Sequence, residues 1–316
     1  MQPNELMDNW MADILIVGCG DVGVRVARLA LAGGSKVSAL ARTESGAERL
    51  RGFGITPVPG DLDEPASLAG LPTAGKLVCY LAPPPGGGLH DTRMRNFCAA
   101  IGIEQAPAKV VYISTSGVYG DCKGAWVTEA TAVTPQTSRA QRRLDAETVL
   151  REWAGPLGVV VITLRVTGIY GPGRLPLARL QQGQPVLSEA ESPPTNRIHA
   201  DDLAIVCLAA AAHGEDGEVF NVSDGQPGTM TQYFNAAADL LGLPRPPQIA
   251  MAEAQRVMTP LMLSYLTETR RMDNRRMLER LGVTLRYPDL ESGLKNVIVQ
   301  LDQPHMGYLG SIGHGQ

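Results

Sequence analysis

Cysteine is scarce in this 316-residue sequence, and its five cysteines follow no recognisable spacing. They form no CxxC pair and stand at no metal-ligand spacing from histidine, which argues against a disulfide framework and for a reducing compartment. A secretory signal is also missing, because the first residues lack a basic segment followed by an unbroken apolar one. The apolar run that begins at Ile14 breaks at Gly18, too soon to span a membrane. We therefore expect a cytoplasmic protein without membrane contact.

An excess of positive charge is missing as well. The formal net charge is -4, with 44% hydrophobic and 19% charged residues, which is the composition of an ordinary globular protein. This balance gives no support for a nucleic-acid or membrane surface. The sequence also lacks the GxSxG, HExxH and P-loop motifs, so hydrolase and kinase chemistry have no support. We expect a small-molecule substrate and no metal site.

From Asp13 onward, short β-branched runs alternate with helix-length segments. Runs such as ILIV, KVSALA, KLVCYL, KVVYIS and VVVITLR are almost continuously apolar. Strands of this kind are buried on both faces, which predicts a parallel sheet with helices on both sides. Right-handed crossovers then produce a doubly wound α/β sheet of the Rossmann type.

The alternation loosens after Tyr170, where glycine, proline and polar residues become frequent. We expect residues 12–170 and 197–224 to form a dinucleotide-binding domain. Residues 171–196 and 225–300, whose helical segments are broken by proline, are expected to form a small C-terminal substrate lobe. Residues 1–11 and 301–316 are expected to be loose termini, the second of them rich in glycine.

A glycine-rich loop follows the first predicted strand and opens a helix. Gly18, Gly20 and Gly23 form GxGxxG in this context, which is the context that a dinucleotide site requires. The first glycine permits a tight turn, the second lets a pyrophosphate approach the backbone, and the third allows close packing of helix on strand. The free N–H groups of the helix N-terminus would then face the phosphates. A merely flexible turn is the alternative.

The end of the second strand indicates which dinucleotide binds. NAD sites usually carry an acidic residue there, whereas this strand ends in Arg42, whose guanidinium suits a 2′-phosphate. A solvated surface arginine is the alternative, and the nearby Glu44 could oppose the phosphate. We expect NADP, with NAD as the second choice. The other residues expected to line the cofactor site are Asp21, Val22, Asp61, Leu62, Leu81, Ala82 and Pro83.

Four segments, read in order, resemble landmarks of one enzyme family. They are VVYISTSGVYGD, GIYGPGR, RIHADDLA and RRMDNRRMLERLG. As an ordered set they resemble the extended short-chain dehydrogenase/reductase family, the NAD-dependent epimerase/dehydratases, over roughly residues 13–294. The GxGxxG form resembles an atypical YeeZ-like subgroup. The resemblance implies an oxidoreductase or epimerase/dehydratase, a small polar substrate such as a nucleotide sugar, and pairing into a homodimer through helices flanking the sheet.

The catalytic pair of that family is missing from the helix over residues 134–150, where the resemblance places it. The resemblance implies a Ser/Thr together with a Tyr and a Lys spaced YxxxK, where Tyr is the acid/base and Lys lowers its pKa and holds the nicotinamide ribose. Thr115 matches the Ser/Thr, with a strand-end hydroxyl bonded to its own backbone as the alternative. Alignment on LDAE puts Arg139 at the Tyr position and Arg143 at the Lys position; a shift of one residue gives Ser138 and Arg142. We expect Arg143 to keep the charge and the ribose contact.

Two tyrosines near strand ends, Tyr119 and Tyr170, could replace the missing acid/base, although both match positions that are usually structural. Otherwise the substrate could supply its own acid. The competing hypothesis is a sensor or scaffold that binds NADP without turnover. His199 and an N-cap at Asp201 or Asp202 are expected to be structural. The resemblance implies substrate contacts from Ser116, Arg174 and Arg271.

Overall fold

A seven-stranded parallel sheet forms the centre of the protein, and the computed structural model describes residues 12–301. Its strands, numbered along the chain, are β1 Asp13–Val17, β2 Lys36–Ala41, β3 Thr56–Pro59, β4 Leu77–Tyr80, β5 Lys109–Thr115, β6 Val160–Val166 and β7 Val219–Val222. Their order across the sheet is β7-β6-β5-β4-β1-β2-β3, and every neighbouring pair is parallel. The sheet is therefore of the predicted Rossmann type. Successive strands are added on one side of β1 up to β3 and then on its other side from β4 onward.

Helices cover both faces of this sheet. The helices are α1 Asp21–Ala32, α2 Glu44–Gly52, α3 Thr92–Ala99, α4 Ser138–Ala154, α5 Leu177–Gln181, α6 Ala200–His213, α7 Met230–Leu240, α8 Met251–Val257, α9 Pro260–Thr267, α10 Arg275–Leu281 and α11 Leu290–Leu301. Side chains of α1, α2 and α6 pack on one face, and those of α3 and α4 pack on the other. None of the described helices is long and apolar enough to cross a membrane.

Alternate residues of β1 enter the two cores. Ile14 and Ile16 face the α1 side, whereas Leu15 and Val17 face the α4 side, and all four are fully buried. Because successive side chains of a strand point to opposite faces, a strand covered on both faces must be apolar throughout. Each such side chain contributes about 1.5–3 kcal/mol through burial, so the run ILIV fits a central strand.

A second body lies beyond the carboxyl ends of the strands and has its own small cores. One core includes Tyr170, Leu180, Phe234 and Leu294, and another joins Leu187, Ala254 and Leu266. Short two-stranded sheets join its segments to one another and to the main body. The pairs are Pro194–Thr195 with Gly228–Thr229, Arg197–His199 with Gly168–Tyr170, Gln248–Ile249 with Val186–Leu187, and Arg271–Met272 with Trp126–Val127.

The chain returns to the main body inside the segment expected to form the lobe. Met277 and Leu281 of α10 are fully buried in the core on the α6 side of the sheet. Periodicity marks the apolar face of α10 but not the body that covers it, which is why the sequence alone did not separate it from residues 225–300. At the other predicted boundary, Leu301 is the last residue of α11. The expected loose segments 1–11 and 302–316 lie outside the described residues.

Candidate active site

The carboxyl ends of β1, β2, β4 and β5 meet at one edge of the sheet. β1 lies between β2 and β4. The chain passes from β1 through α1 to β2 on one side, and it forms β4 on the other side only after β3. Crevices at such a point are where open α/β sheets bind ligands. The predicted glycine loop lies in this crevice.

Gly18 and Gly23 are required by close packing around the loop. Gly18 has φ of +92°, and a Cβ there would lie 2.4 Å from the backbone nitrogen of Ala82. This contact brings the end of β4 against the loop, helped by a bond from the Leu81 N–H to the Val17 oxygen of 2.7 Å. A Cβ on Gly23 would lie 3.1 Å from the Gly18 oxygen and 3.3 Å from the Ile16 side chain. Only glycine permits this approach of strand, loop and helix.

Gly20 differs from its neighbours because open space lies in front of it. A Cβ on Gly20 would meet nothing within 4 Å, and Gly20 is the N-cap of α1 without a side-chain cap bond among the described residues. The first N–H groups of a helix have no partner inside it and attract phosphate. The loop is therefore a cradle open to solvent at the end of a helix, and it fits the pyrophosphate of a dinucleotide.

A half-buried charge network lies against the same helix end. Asp21, the first residue of α1, accepts bonds from Arg25 Nε at 3.1 Å and from Arg174 Nε at 2.6 Å. Arg25 is only 5% exposed and also donates to the Asp201 carboxylate and to the Pro172 oxygen. Arg174 thus lies at the glycine loop, although the sequence indicated a substrate contact for it.

The predicted adenosine end of the site contains Arg42 and Asp61. Arg42 follows β2, is 65% exposed, and its Nε lies 3.9 Å from an oxygen of Asp61 beyond β3. Asp61 Oδ1 also accepts a hydrogen bond of 3.0 Å from the Asp63 N–H. This bond closes a turn two residues long and does not cap a helix. Thr43, next to Arg42, caps α2. The structure brings both side chains to the edge of the crevice, where the Arg42 side chain is exposed to solvent.

Thr115 ends β5 and begins a tight turn over residues 116–119. Its Oγ1 accepts a bond from the Gly117 N–H at 3.2 Å, the alternative that the sequence left open. An accepting hydroxyl still has its own hydrogen to donate. A Cβ on Gly117 would lie 3.4 Å from the Ala140 Cβ, so this turn rests against the first turn of α4. Ser116 lies half-buried in the same turn.

The two possible alignments of α4 with the family's helix are distinguished by where their arginines point. Arg143 Nη1 donates to the oxygens of Ala82 and Ile113, at 3.1 and 2.9 Å, and so lies between the ends of β4 and β5. Arg142 is buried and turns instead to the Gly88 oxygen, 2.5 Å away. In the register based on LDAE, Arg143 therefore puts a positive charge beside Ala82, which contacts the glycine loop. Its contact with a nicotinamide ribose stays a prediction.

The two tyrosines considered as substitutes are packed into the interior. Tyr119 is 0% exposed, donates to Asn221 Oδ1 at 2.7 Å and accepts from Arg165 Nη1 at 3.1 Å. Burial raises the pKa of both Tyr119 and Tyr170. The Tyr170 hydroxyl donates to the Asp289 oxygen at 3.1 Å. Both phenols are thus satisfied structural groups, and neither faces the crevice as a free acid.

A third tyrosine, which sequence reasoning missed, contacts α4 from the lobe. Arg139 Nη1 donates to the hydroxyl of Tyr265 on α9 at 2.6 Å, and the guanidinium carbon lies 5.0 Å from the centre of that ring. Arg139 is the residue at the family's Tyr position, and Ala140 beside it touches the Thr115 turn. No motif surrounds Tyr265 in LSYLTETR, so only the fold could bring this phenol to the helix.

Two landmark segments have structural contacts. Arg271 donates to the Gly124 oxygen and joins lobe to body. The cap of α6 is His199, not Asp201 or Asp202 as expected, since His199 Nδ1 accepts from the Asp201 N–H at 3.2 Å. Asp202 instead accepts from the N–H groups of residues 286 and 287. No group of three or more His, Cys, Asp or Glu within residues 12–301 could hold a metal ion.

Comparison with known proteins gives consistent results. The model of the family described as "NAD dependent epimerase/dehydratase family" matches residues 14–223. The chain is 27% identical to Protein YeeZ of Escherichia coli (strain K12) over 88% of its own length and 97% of that protein.

Two solved structures extend the comparison to the fold. A functionally unknown conserved protein from Silicibacter pomeroyi has 31% identity and a TM-score of 0.77, covering 92% of this chain and 99% of that one. UDP-glucose 4-epimerase of Thermotoga maritima, solved with UDP-glucose, has 19% identity and a TM-score of 0.74, with coverage of 92% and 99%. The second likeness concerns the fold alone.

Proposed function

The chain belongs to the NAD dependent epimerase/dehydratase family, and from that premise we propose that it is an NAD(P)-dependent oxidoreductase or epimerase with a non-standard acid/base. One observation carries the proposal. The glycine loop combines a tight contact at Gly18 with open space at Gly20, in front of an uncapped helix end. A flexible surface turn needs neither feature, whereas a pyrophosphate needs both.

We propose NADP as the preferred cofactor. When bound, the nicotinamide supplies or accepts a hydride. The glycine loop would hold the pyrophosphate, Leu81 and Ala82 would line the middle of the cofactor, and Arg143 would face the nicotinamide ribose. Arg42 supports the preference for NADP, because its exposed guanidinium can reorient from the weak 3.9 Å pairing with Asp61 to a 2′-phosphate.

We further propose that Tyr265 is the proton donor that the catalytic helix lacks. Arginine has no acceptor and cannot give up a proton near neutral pH, so Arg139 cannot replace a tyrosine itself. It donates to the Tyr265 oxygen, which leaves the phenol hydrogen available for a substrate oxygen. Thr115 would orient that same oxygen through its own hydrogen. The acid would thus come from the lobe and its anchor from the helix.

A nucleotide sugar is the substrate class to test first. The fold relative from Thermotoga maritima was solved with UDP-glucose, and the crevice between sheet and lobe has hydroxyl and guanidinium groups suited to a polar substrate. Ser116 at the Thr115 turn, and Arg271 at the joint between lobe and body, are the proposed substrate contacts.

Calorimetric titration of the purified protein with NADP and NAD tests the first half of the proposal. We expect NADP to bind more tightly, and Arg42→Ala to weaken NADP binding while leaving NAD binding nearly unchanged. Equal affinities in the wild type would contradict the NADP preference. Failure of both cofactors to bind would refute the enzyme proposal, since the loop would then be architecture only.

Turnover tests the second half. The protein with NADPH would be given carbonyl compounds, and with NAD or NADP it would be given UDP-sugars. Products would be separated by chromatography before mass spectrometry, because an epimer has the same mass as its substrate. The absence of YxxxK from α4 and the burial of Tyr119 favour a second candidate, an NADP-binding sensor. Cofactor binding without any product would support that sensor. The cytoplasmic location and the homodimer also stay proposals, and sedimentation of the purified protein tests the homodimer.

A further inference from the structure

The segment of residues 171–176, called here the strap, crosses from the sheet to the lobe over the start of α1. Gly171 and Gly173 have φ of +137° and +77°, so the strap turns sharply twice before Arg174. Arg25 of α1 donates to the Pro172 oxygen at 3.1 Å, which holds the strap against the helix. The strap therefore lies beside the pyrophosphate cradle and is tied to it.

Arg174 is the residue of the strap that faces the cradle. Its Nε donates to Asp21 Oδ2 at 2.6 Å, and Asp21 directly follows the open Gly20. Within the described part of the chain, the Arg174 side chain bonds only through Nε, which leaves both terminal amino groups for a ligand. The side chain is 32% exposed. Guanidinium groups bind phosphate through such paired N–H donors.

The position of Arg174 would balance the negative charges of Asp21 and of a bound pyrophosphate. A dinucleotide pyrophosphate at the end of α1 would lie beside the Asp21 carboxylate, and two like charges at that distance repel. In the network, two carboxylates (Asp21 and Asp201) face two arginines (Arg25 and Arg174). Arg25 is buried among its partners, so of these two arginines Arg174 is the one that can turn charge towards an incoming phosphate.

We propose that Arg174 binds the pyrophosphate of the dinucleotide, with Asp21 as the residue that positions its guanidinium. This inference rests on the proposed function, because it needs a dinucleotide at the glycine loop. It assigns Arg174 to the cofactor rather than to a substrate phosphate. The strap then connects cofactor and lobe, since the Arg174 oxygen faces the Tyr233 hydroxyl of α7 at 3.5 Å.

The experiment is calorimetric titration with ADP-ribose, which carries the pyrophosphate but no nicotinamide. We expect Arg174→Ala to weaken ADP-ribose binding by about 10- to 100-fold, the range for a charge-assisted hydrogen bond. Arg174→Lys keeps the charge without the fork and should recover part of the affinity. Arg245→Ala is the matched control, because Arg245 forms an exposed lobe ion pair with Asp239. The control should bind as the wild type does.

A second background separates direct contact from charge balance. In Asp21→Asn, Arg174→Ala should still weaken ADP-ribose binding by at least about 10-fold, as a lost charge-assisted contact would. A loss that disappears in this background would overturn the inference, since Arg174 would then merely neutralise Asp21. Unchanged binding by Arg174→Ala alone would overturn it as well.

The same data distinguish this inference from the proposed function. If the wild type binds ADP-ribose and Arg174→Ala binds equally well, only the role of Arg174 fails. If the wild type binds neither ADP-ribose nor NADP nor NAD, both fail together. Thermal unfolding with and without ADP-ribose gives an independent readout, because at a given concentration a ligand that binds more tightly stabilises the folded state more. Each variant without ligand shows whether it is folded.

Discussion

Gly18 and Gly20, two positions apart in the sequence, meet different structural demands, and single substitutions can separate them. At Gly18 the positive φ and the Ala82 backbone both exclude a side chain, so Gly18→Ala should destabilise the fold. The strained φ alone costs about 1–3 kcal/mol. At Gly20 a Cβ meets open space, so Gly20→Ala should keep the melting temperature within a few degrees while weakening NADP binding.

Thermal unfolding and calorimetry of the two variants check this prediction. A Gly20→Ala protein that binds NADP as tightly as the wild type would show that no phosphate approaches this backbone. A Gly18→Ala protein of unchanged stability would show that the loop can shift away from β4.

Tyr265→Phe tests the proposed proton donor by removing one oxygen atom. We expect turnover to fall about 10²–10⁴-fold, the usual contribution of general acid–base catalysis. NADP affinity should stay the same, because Tyr265 contacts the catalytic helix and not the glycine loop. Steady-state kinetics with whichever substrate shows turnover, together with calorimetry, measure both quantities. Full activity in Tyr265→Phe would exclude the phenol.

Arg139→Ala complements that variant. It should reduce turnover as well, since it removes the group that holds Tyr265, and Arg139→Lys should restore part of the activity. A merely structural arginine would instead change stability and leave kcat unaltered. The comparison of the two substitutions therefore separates positioning from folding.

At the scale of elements, α4 is joined to the sheet by a buried ion pair. Glu147 accepts from Arg165 Nη2 at 2.9 Å and from Ser114 Oγ at 2.5 Å, and the Glu147 side chain is 1% exposed. The same arginine supports the Tyr119 hydroxyl from β6. One network thus fixes α4 relative to β5, which ends in Thr115.

Glu147→Ala should therefore be strongly destabilising. Removing one partner of a buried pair leaves the other charge uncompensated, at a cost of about 3–5 kcal/mol. Glu152→Ala on the exposed side of the same helix is the control and should change little. Urea unfolding of both variants measures the difference, and similar midpoints for the two would contradict the assigned role of the pair.

For the molecule as a whole, two buried groups give opposing pH dependence of stability. Burial raises the pKa of Asp224 to about 6 and lowers the pKa of His199 to about 4. The folded state therefore binds the Asp224 proton more tightly than the unfolded state does. That contribution is complete below the ordinary pKa near 4 and is lost as pH rises through about 6. The His199 contribution is present above about 6.5 and is lost as pH falls towards 4.

Because the two contributions oppose each other, substitution of one reveals the other. Asp224→Asn should be the more stable protein at pH 7, since it removes a buried charge, and its advantage of about 2–3 kcal/mol should disappear towards pH 4. The variant should then lose stability more steeply than the wild type as pH falls from 6.5 to 4. Urea unfolding at several pH values measures both curves. Parallel curves would mean that Asp224 titrates normally.

The sequence by itself determined the parallel sheet and the glycine loop, and it shows no YxxxK within the residues of α4. Each depends on residues that are close together in the sequence. A strand buried on both faces must be apolar at every position, and a φ of +92° beside a neighbouring backbone requires glycine. Membership of the family followed from landmarks in fixed order. These features depend on residues near each other in the chain, so a reader of the sequence can find them.

The tertiary structure alone decided which side chains meet. The contacts of Arg174 with Asp21 and of Arg139 with Tyr265 join residues 153 and 126 positions apart, and nothing in the local pattern pairs them. The Tyr119 side chain is likewise buried and does not face the crevice. Its position in the sequence, directly after β5, had made it a candidate acid/base. Packing chooses among side chains that look equivalent in sequence, because only the folded chain determines which are covered and which remain open to a ligand.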